Sequence, residues 1–124
     1  MKLGMVGIIV EDMKKAITFY ECFGFHLINE YDDNYVELNN SSLRISLNSK
    51  EMVASMYGFL PESSGDKVEL AFECESKQEV DSICEQINKQ GYIVYKEPWD
   101  AFWGQYYAIV KDLDGNLLSL YYNK

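Results

Sequence analysis

The sequence has very little histidine and arginine, and this scarcity limits the chemistry that the chain can carry. His26 is the single histidine and Arg44 the single arginine among 124 residues. Any Ser-His-Asp or Cys-His arrangement would have to be built on His26, and no local signature of such catalysis surrounds a serine or a cysteine. We therefore expect His26 to be a surface or edge residue.

Positive charge is also scarce, with 11 basic against 20 acidic residues and a formal net charge of −9. Nucleic acid is not expected as a partner, because phosphate binding depends on clustered lysine and arginine. The acidic excess has two interpretations, which the sequence leaves open. It favours solubility, and it creates a field that attracts cationic ligands.

The sequence lacks any apolar run long enough to cross a membrane, and its start, MKLGMVGIIVEDM, has the pattern of a strand rather than of a signal peptide. The three cysteines, Cys22, Cys74 and Cys84, form no CxxC pair. An odd number of cysteines without an export signal favours reduced thiols. We therefore expect a cytoplasmic location and no membrane partner.

One order of elements occurs twice in this chain, which has the length of a single domain. The strand pattern LGMVGIIV is followed by a helix between Asp12 and Gly24, and then by the strands FHLINEY, YVELN and SLRISLN. The second half repeats this order with KVELAFEC, a helix that ends at Gly91, and the strands YIVYKEP, QYYAIVK and NLLSLYY. The sequence therefore predicts an α+β fold of two tandem βαβββ modules that form curved mixed sheets around a cavity. The predicted parts are module 1–48, link 49–66 and module 67–124.

Apolar residues at helical spacing predict which side of each helix is buried. The predicted buried residues of the first helix are Met13, Ala16, Ile17, Tyr20 and Phe23. Those of the second helix are Val80, Ile83, Cys84 and Ile87.

Two stretches of this pattern resemble a known family. The stretches VGIIVEDMKKAITFYECFGF and WGQYYAIVKDLDGNLLSLYY are similar to the ends of the glyoxalase, bleomycin-resistance and extradiol-dioxygenase superfamily, also called the vicinal oxygen chelate (VOC) superfamily. Leu113 replaces the proline of the family's usual Asp-Pro-Asp-Gly turn. The resemblance implies the paired-module fold, a homodimer and a ligand cavity between modules.

Enzymes of this family hold a divalent metal with side chains from four strands. Carried over to this sequence, the resemblance implies that these positions fall at Met5, at Arg44 or Ser46, at Glu69 and at Ser119. Glu69 is the strong ligand in that set, since a catalytic site needs about three protein ligands and a thioether suits only soft metals. We therefore expect no metal, no other cofactor and no catalytic residues. Glu69 could instead pair with Arg44.

Aromatic residues are concentrated near the C-terminus and predict a different kind of site. Strand alternation and the family's pocket loop place seven residues in the expected ligand cavity. A slip of one residue in the register would exchange Tyr107 for Tyr106. Trp99 is a further candidate. The seven are Met5, Glu69, Phe102, Trp103, Tyr107, Ser119 and Tyr121. Such a lining suits a flat or cationic small molecule, although any single ring could be a core residue.

Three functions remain open at this point. The first is a non-metal small-molecule binding protein that resembles drug-sequestering bleomycin-resistance proteins and would confer antibiotic resistance. The second is a metal-dependent VOC enzyme, such as a glyoxalase or other lyase, a thiol transferase or a dioxygenase, with an atypical ligand set. The third is a module that binds a protein partner, because fold alone does not determine function. The missing ligand set favours the first, and hence a protein that is not an enzyme.

Overall fold

The computed structural model describes residues 4–41, 43–62 and 69–124. Within these ranges the chain forms eight strands and three helices, and it divides into two compact units between residues 63 and 64. The elements of the first unit are β1 (Val6–Val10), α1 (Met13–Glu21), β2 (His26–Leu27), β3 (Tyr35–Asn39), β4 (Arg44–Ser49) and α2 (Lys50–Tyr57). Those of the second are β5 (Leu70–Glu73), α3 (Lys77–Lys89), β6 (Ile93–Asp100), β7 (Gln105–Lys111) and β8 (Leu117–Asn123).

The first unit is a four-stranded mixed sheet in the order β1-β4-β3-β2, with α1 packed against it. Strand β1 runs parallel to β4, and the other two pairs are antiparallel. Helix α1 begins at Asp12, whose carboxylate accepts a hydrogen bond of 3.1 Å from the backbone N–H of Lys15. This bond satisfies one of the otherwise unpaired amides of the first turn.

The second unit repeats this arrangement with the order β5-β8-β7-β6 and with α3 on one side of the sheet. Strand β5 runs parallel to β8, as β1 does to β4. The side that faces α3 carries the buried residues Ala108, Val110, Leu118 and Leu120. Because side chains alternate along a strand, the residues between them point to the opposite side of the sheet.

The predicted α+β fold of two βαβββ modules is confirmed in its two four-stranded sheets and in the order of their elements. Strands β3 and β7 have the predicted bounds. Strand β2 is much shorter than predicted, because its ladder with β3 extends only over His26 and Leu27. Helix α2 lies in the predicted link 49–66. Within the predicted strands and link, Ser42 and residues 63–68 fall outside the described residues.

The buried sides of the two long helices differ slightly from the prediction. Ile17 and Ile83, which were expected in the core, are half-buried, whereas Phe19, which was not, is fully buried. The stripe of α1 that packs on the sheet runs through Ala16, Phe19 and Tyr20, so it lies on the other flank of the helix from Ile17. No helix of the described ranges has the length and apolar content needed to cross a membrane.

Candidate functional site

Three aromatic residues on the side of the second sheet opposite α3 lie in one row across three strands. Trp99 of β6 pairs with Tyr107 of β7, and Tyr107 pairs with Tyr121 of β8. On the next strand, Glu73 of β5 pairs with Tyr121. We call Trp99, Tyr107 and Tyr121 the aromatic row, with Glu73 at its β5 end.

The rings of the aromatic row contact one another directly. The ring centroids of Trp99 and Tyr107 are 5.4 Å apart, and those of Tyr107 and Tyr121 are 6.4 Å apart with planes only 21° from parallel. Trp103, from the turn before β7, lies 5.4 Å from Tyr107 and 6.1 Å from Trp99 in edge-to-face contact. These are the distances at which aromatic pairs attract, so the rings form one continuous surface.

The register of β7 assigns Tyr107 rather than Tyr106 to this surface. The hydroxyl of Tyr106 donates a hydrogen bond of 2.6 Å to Asp81 of α3, which places its ring on the helix side of the sheet. That bond, to a carboxylate that favours the protonated phenol, raises the pKa of Tyr106 to about 12. The alternative in which a slip of one residue exchanges the two tyrosines does not occur.

A positive charge lies over the β6 end of the row. The ammonium group of Lys96 is 4.0 Å from the centroid of the Trp99 ring, which is a close cation–π contact. Residues three apart on a regular strand would point to opposite sides, but β6 has register shifts between Val94 and Lys96 and again between Lys96 and Trp99. These irregularities bring the lysine and the tryptophan together.

The side-chain amides of Gln105 and Asn123 connect Trp103 to Glu73 along the edge of the row. The indole N–H of Trp103 donates to Oε1 of Gln105, and the Gln105 amide donates to Oδ1 of Asn123, each over 2.8 Å. The Asn123 amide in turn donates to Oε1 of Glu73 over 2.7 Å. An indole can only donate and an ionised carboxylate can only accept, so the two ends fix the orientation of both amides.

Ser119 and Glu69 lie next to the row on the same side of the sheet. The buried hydroxyl of Ser119 donates a hydrogen bond of 3.3 Å to Oε2 of Glu69. The hydrogen bond from Ser119 thus joins β8 to Glu69, the residue before β5.

The corresponding side of the first sheet is polar. Arg44 lies 3.6 Å from Oε2 of Glu37, and the Tyr35 hydroxyl donates to Oε1 of the same carboxylate over 2.8 Å. The Asn48 amide donates to the Ser46 hydroxyl over 3.0 Å. The ion pair of Arg44 is therefore made within its own sheet.

Residues 2–120 match the family described as the Glyoxalase/Bleomycin resistance protein/Dioxygenase superfamily. The chain belongs to this superfamily. Among its relatives, the uncharacterized protein YraH of Bacillus subtilis (strain 168) is 27% identical over 125 residues, which cover 98% of each chain.

Solved structures with this superfamily's fold are also similar. A glyoxalase/bleomycin resistance protein/dioxygenase family enzyme from Burkholderia phytofirmans PsJN has a TM-score of 0.86 and 23% identity, with 97% of both chains covered. The bleomycin resistance determinant encoded on the transposon Tn5 has a TM-score of 0.66 and 18% identity, with 100% of this chain and 99% of that chain covered. At these identities the likeness establishes the shared fold.

The residues to which the resemblance assigns the superfamily's metal ligands do not fit a divalent metal. Met5 offers a thioether, Ser119 a hydroxyl already bonded to Glu69, and the remaining position holds Arg44 or Ser46. Hard and borderline metals prefer carboxylate and imidazole donors, of which this set has one. Among the residues that the structure describes, no group of three or more His, Cys, Asp and Glu side chains could hold a metal ion.

Of the seven predicted site residues, six lie in the second unit. Tyr107 and Tyr121 are in the aromatic row, Trp103 contacts it, and Ser119 and Glu69 flank it. Phe102 is 97% exposed and touches the row only through Trp103, at 5.0 Å between ring centroids. Met5 is a half-buried residue of the first unit, just before β1.

Four residues of this surface were not singled out from the sequence: Lys96, Gln105, Asn123 and Glu73. Alternation along β7 and β8 would have placed Gln105 beside Tyr107 and Asn123 beside Tyr121, so that signal was present. The irregular register of β6 and the parallel register of β5 against β8 carry no local sequence signal. Lys96 and Glu73 could therefore be placed only by the structure.

Proposed function

We propose that this protein binds a flat aromatic small molecule by stacking on the aromatic row, without a metal and without catalysis. The observation that carries the proposal is the cross-strand row itself, three rings on one side of the second sheet in which Tyr107 contacts the ring on either side of it. The relative from Tn5, described as a bleomycin resistance determinant, supports a drug-sequestering role and hence a contribution to antibiotic resistance.

The rings of the row suit the recognition of a flat molecule for physical reasons. Trp99, Tyr107 and Tyr121 are all half-buried, so each ring is anchored while part of it remains accessible. Each aromatic contact with a ligand adds about 0.5–1.5 kcal/mol beyond the area that it buries. Rings already held against one another lose little conformational freedom on binding, which favours affinity.

Titration calorimetry with a flat ligand tests this function directly. The probes are bleomycin, a neutral acridone and a cationic acridine. We expect at least one of them to bind, and we expect Tyr107→Leu to weaken its binding about tenfold or more, because the central ring of the row is lost. The matched control is Tyr35→Leu, since Tyr35 occupies the corresponding place on β3 of the first sheet. Equal losses in both variants, or no binding of any probe, would overturn the proposal.

Tryptophan fluorescence gives an independent readout of the same binding. The chain has two tryptophans, and both belong to this surface, with ring centroids 6.1 Å apart. A stacked ligand is therefore expected to quench the whole tryptophan signal. Elemental analysis of protein purified without chelator complements it, because near-stoichiometric metal would contradict the non-metal function and favour the enzymatic alternative.

We further propose that the protein works in the cytoplasm as a homodimer. The cytoplasmic location is supported by the three cysteines, none of which forms a disulfide and of which Cys74 and Cys84 are buried. The dimer is supported by the family resemblance alone. The solution mass measured by light scattering distinguishes a dimer from a monomer, and a mass near 14.4 kDa would exclude the dimer.

A further inference from the structure

We propose that the aromatic row is polarised, and that its ligand carries a positive group at the Glu73 end and a flat ring over Tyr107. This inference rests on the proposed function and adds the class and the orientation of the ligand. Three features of the second sheet carry it: the charge at each end of the row, the way in which Glu73 is held, and the spacing of the strands.

The β6 end of the row is already occupied by a positive charge. Lys96 lies 4.0 Å from the centre of the Trp99 ring, so it uses the attraction that this ring offers to a cation. A second cation at the same place would be repelled by the lysine. A positively charged group of the ligand is therefore directed away from Trp99.

The β5 end carries a negative charge that is held in a defined position. Glu73 pairs with Tyr121 in the register of β5 and β8, and its Oε1 accepts the amide of Asn123 over 2.7 Å. A carboxylate has about four acceptor sites, so this bond leaves Glu73 able to accept from a ligand as well. A cation at this end would contact both the carboxylate and the face of the Tyr121 ring.

The chain of hydrogen bonds through Gln105 and Asn123 links Glu73 to Trp103, whose ring packs against Tyr107. It fixes the indole of Trp103 at one end and the carboxylate of Glu73 at the other, with both amides oriented by what the ends can donate or accept. Ring and charge are thus presented together before any ligand arrives. Such preorganisation lowers the entropy cost of binding.

The strand spacing sets the length of the ligand. Tyr107 and Glu73 are separated by two strand intervals of about 4.8 Å each, so the ring-to-cation distance is about 10 Å. The expected ligand class is an extended aromatic molecule with a positive group at that distance from the ring. The net charge of −9 adds a long-range attraction for the same class.

A pair of probes of equal shape tests the polarity. Both are acridones with a hexyl chain; one chain ends in trimethylammonium and the other in the uncharged tert-butyl group. Calorimetry on the full chain is expected to show about fivefold tighter binding of the charged probe, as an exposed ion pair with an added cation–π contact provides. Glu73→Gln is expected to reduce that preference to about twofold, because the ion pair is lost while the cation–π contact with Tyr121 remains.

The choice of variants separates charge from structure. The oxygen of a glutamine at position 73 can still accept from Asn123, so the hydrogen-bonded chain survives while the charge is lost. Glu85→Gln, on the exposed side of α3, makes the same change in net charge away from the row and is expected to keep the fivefold preference. Thermal unfolding of both variants checks that they are folded.

Each outcome points to a different conclusion. If the two probes bind wild type with equal affinity, the polarity is wrong and the proposed function stands. If Glu73→Gln and Glu85→Gln reduce the preference equally, net charge rather than Glu73 selects the cation, and the inference is overturned. If neither probe binds, the failure lies with the proposed function itself.

Discussion

The two sheets of this protein share strand order and, in three of their four strands, register, but they differ in the side opposite their long helix. In the first sheet Ile9, Asn48 and Tyr35 lie in one row across β1, β4 and β3. The corresponding row of the second sheet holds Glu73, Tyr121 and Tyr107. The middle residue of the first row is an amide bonded to Ser46, whereas the middle residue of the second is a ring stacked on the next one.

This difference shows that the sides facing the helices and the opposite sides are under separate constraints. The helix sides are similar because each must exclude water to hold its unit together. The opposite sides can vary without changing the fold, so the proposed function depends on the residues placed there rather than on the fold. The following predictions test that separation, beginning with the largest effect.

Core leucines at corresponding positions are expected to matter equally in both sheets. Leu47 of β4 and Leu120 of β8 are both fully buried, so Leu47→Ala and Leu120→Ala should each lower the free energy of unfolding by about 2–5 kcal/mol. Urea denaturation measures both, and Leu113→Ala, at an exposed turn residue, is the control with little change. A loss below about 1 kcal/mol in either core variant would contradict the equivalence of the helix sides.

The cysteines are expected to react at very different rates in the two units. Burial raises the pKa of Cys74 to about 11 and that of Cys84 to about 12, so at pH 8 about a thousandth or less of each is the reactive thiolate. Cys22 of the first unit is only half-buried. Mass spectrometry after iodoacetamide treatment should find Cys22 modified first, and all three modified in urea. Early modification of Cys84 in folded protein would refute this.

Gly7 and Ala71 occupy corresponding positions on β1 and β5, and we expect that neither tolerates the residue of the other. A methyl group on Gly7 would lie 3.1 Å from both Ser46 Oγ and Asn48 Nδ2. Crowding of about 1–3 kcal/mol outweighs the gain of about 0.5–1 kcal/mol from lower chain entropy, so Gly7→Ala should cost about 1 kcal/mol in all. Ala71→Gly should cost about 0.5–1 kcal/mol through added chain entropy. Thermal unfolding measures both changes. Because Ser46→Ala also removes the hydrogen bond from Asn48, the comparison is made within that variant: Gly7→Ala should cost less in Ser46→Ala than in wild type. An equal cost in both backgrounds would show that Ser46 does not crowd the methyl group.

The smallest effect concerns Asp100, next to Trp99 at the end of β6. Hydrogen bonds from Lys77 and then Lys124, 2.9 and 3.0 Å long, lower the pKa of this exposed carboxyl below its usual value. A lowered pKa stabilises the fold above the unfolded-state pKa, and this contribution is lost as the pH falls through the folded-state value. Asp100→Asn should therefore lower Tm slightly at pH 7. The difference in Tm between the variant and wild type should disappear below about pH 4. A gap that does not narrow on acidification would contradict this assignment.

Much of the fold could be predicted because each unit is specified by local patterns. Alternation located β3 and β7, and the polar residue Asp12 marked the start of α1. Phe19 was missed because α1 has two overlapping apolar stripes, and only packing on the sheet decides between them. The length of β2 was overestimated, because an apolar pattern shows which residues can pair but not how far the partner strand extends.

The site was less predictable, because it depends on register between strands that are distant in sequence. The sequence located Tyr107 and Tyr121, whose strands are joined by a short turn. Trp99 remained only a candidate, because its position depends on the irregularities in β6. Glu73 was not singled out, because its place beside Tyr121 depends on parallel pairing of strands about fifty residues apart.

The irregular register of β6 also has a consequence for how the chain behaves at high concentration. Strand β6 is an edge of its sheet and is eight residues long, the kind of strand that invites pairing with a second molecule. Its two register shifts, a charged Lys96 and Pro98, which has no backbone N–H, interrupt the hydrogen-bonding pattern that such pairing needs. The corresponding edge of the first sheet, β2, has only two residues. These two edges are therefore poor templates for strand addition, which disfavours aggregation through β2 or β6.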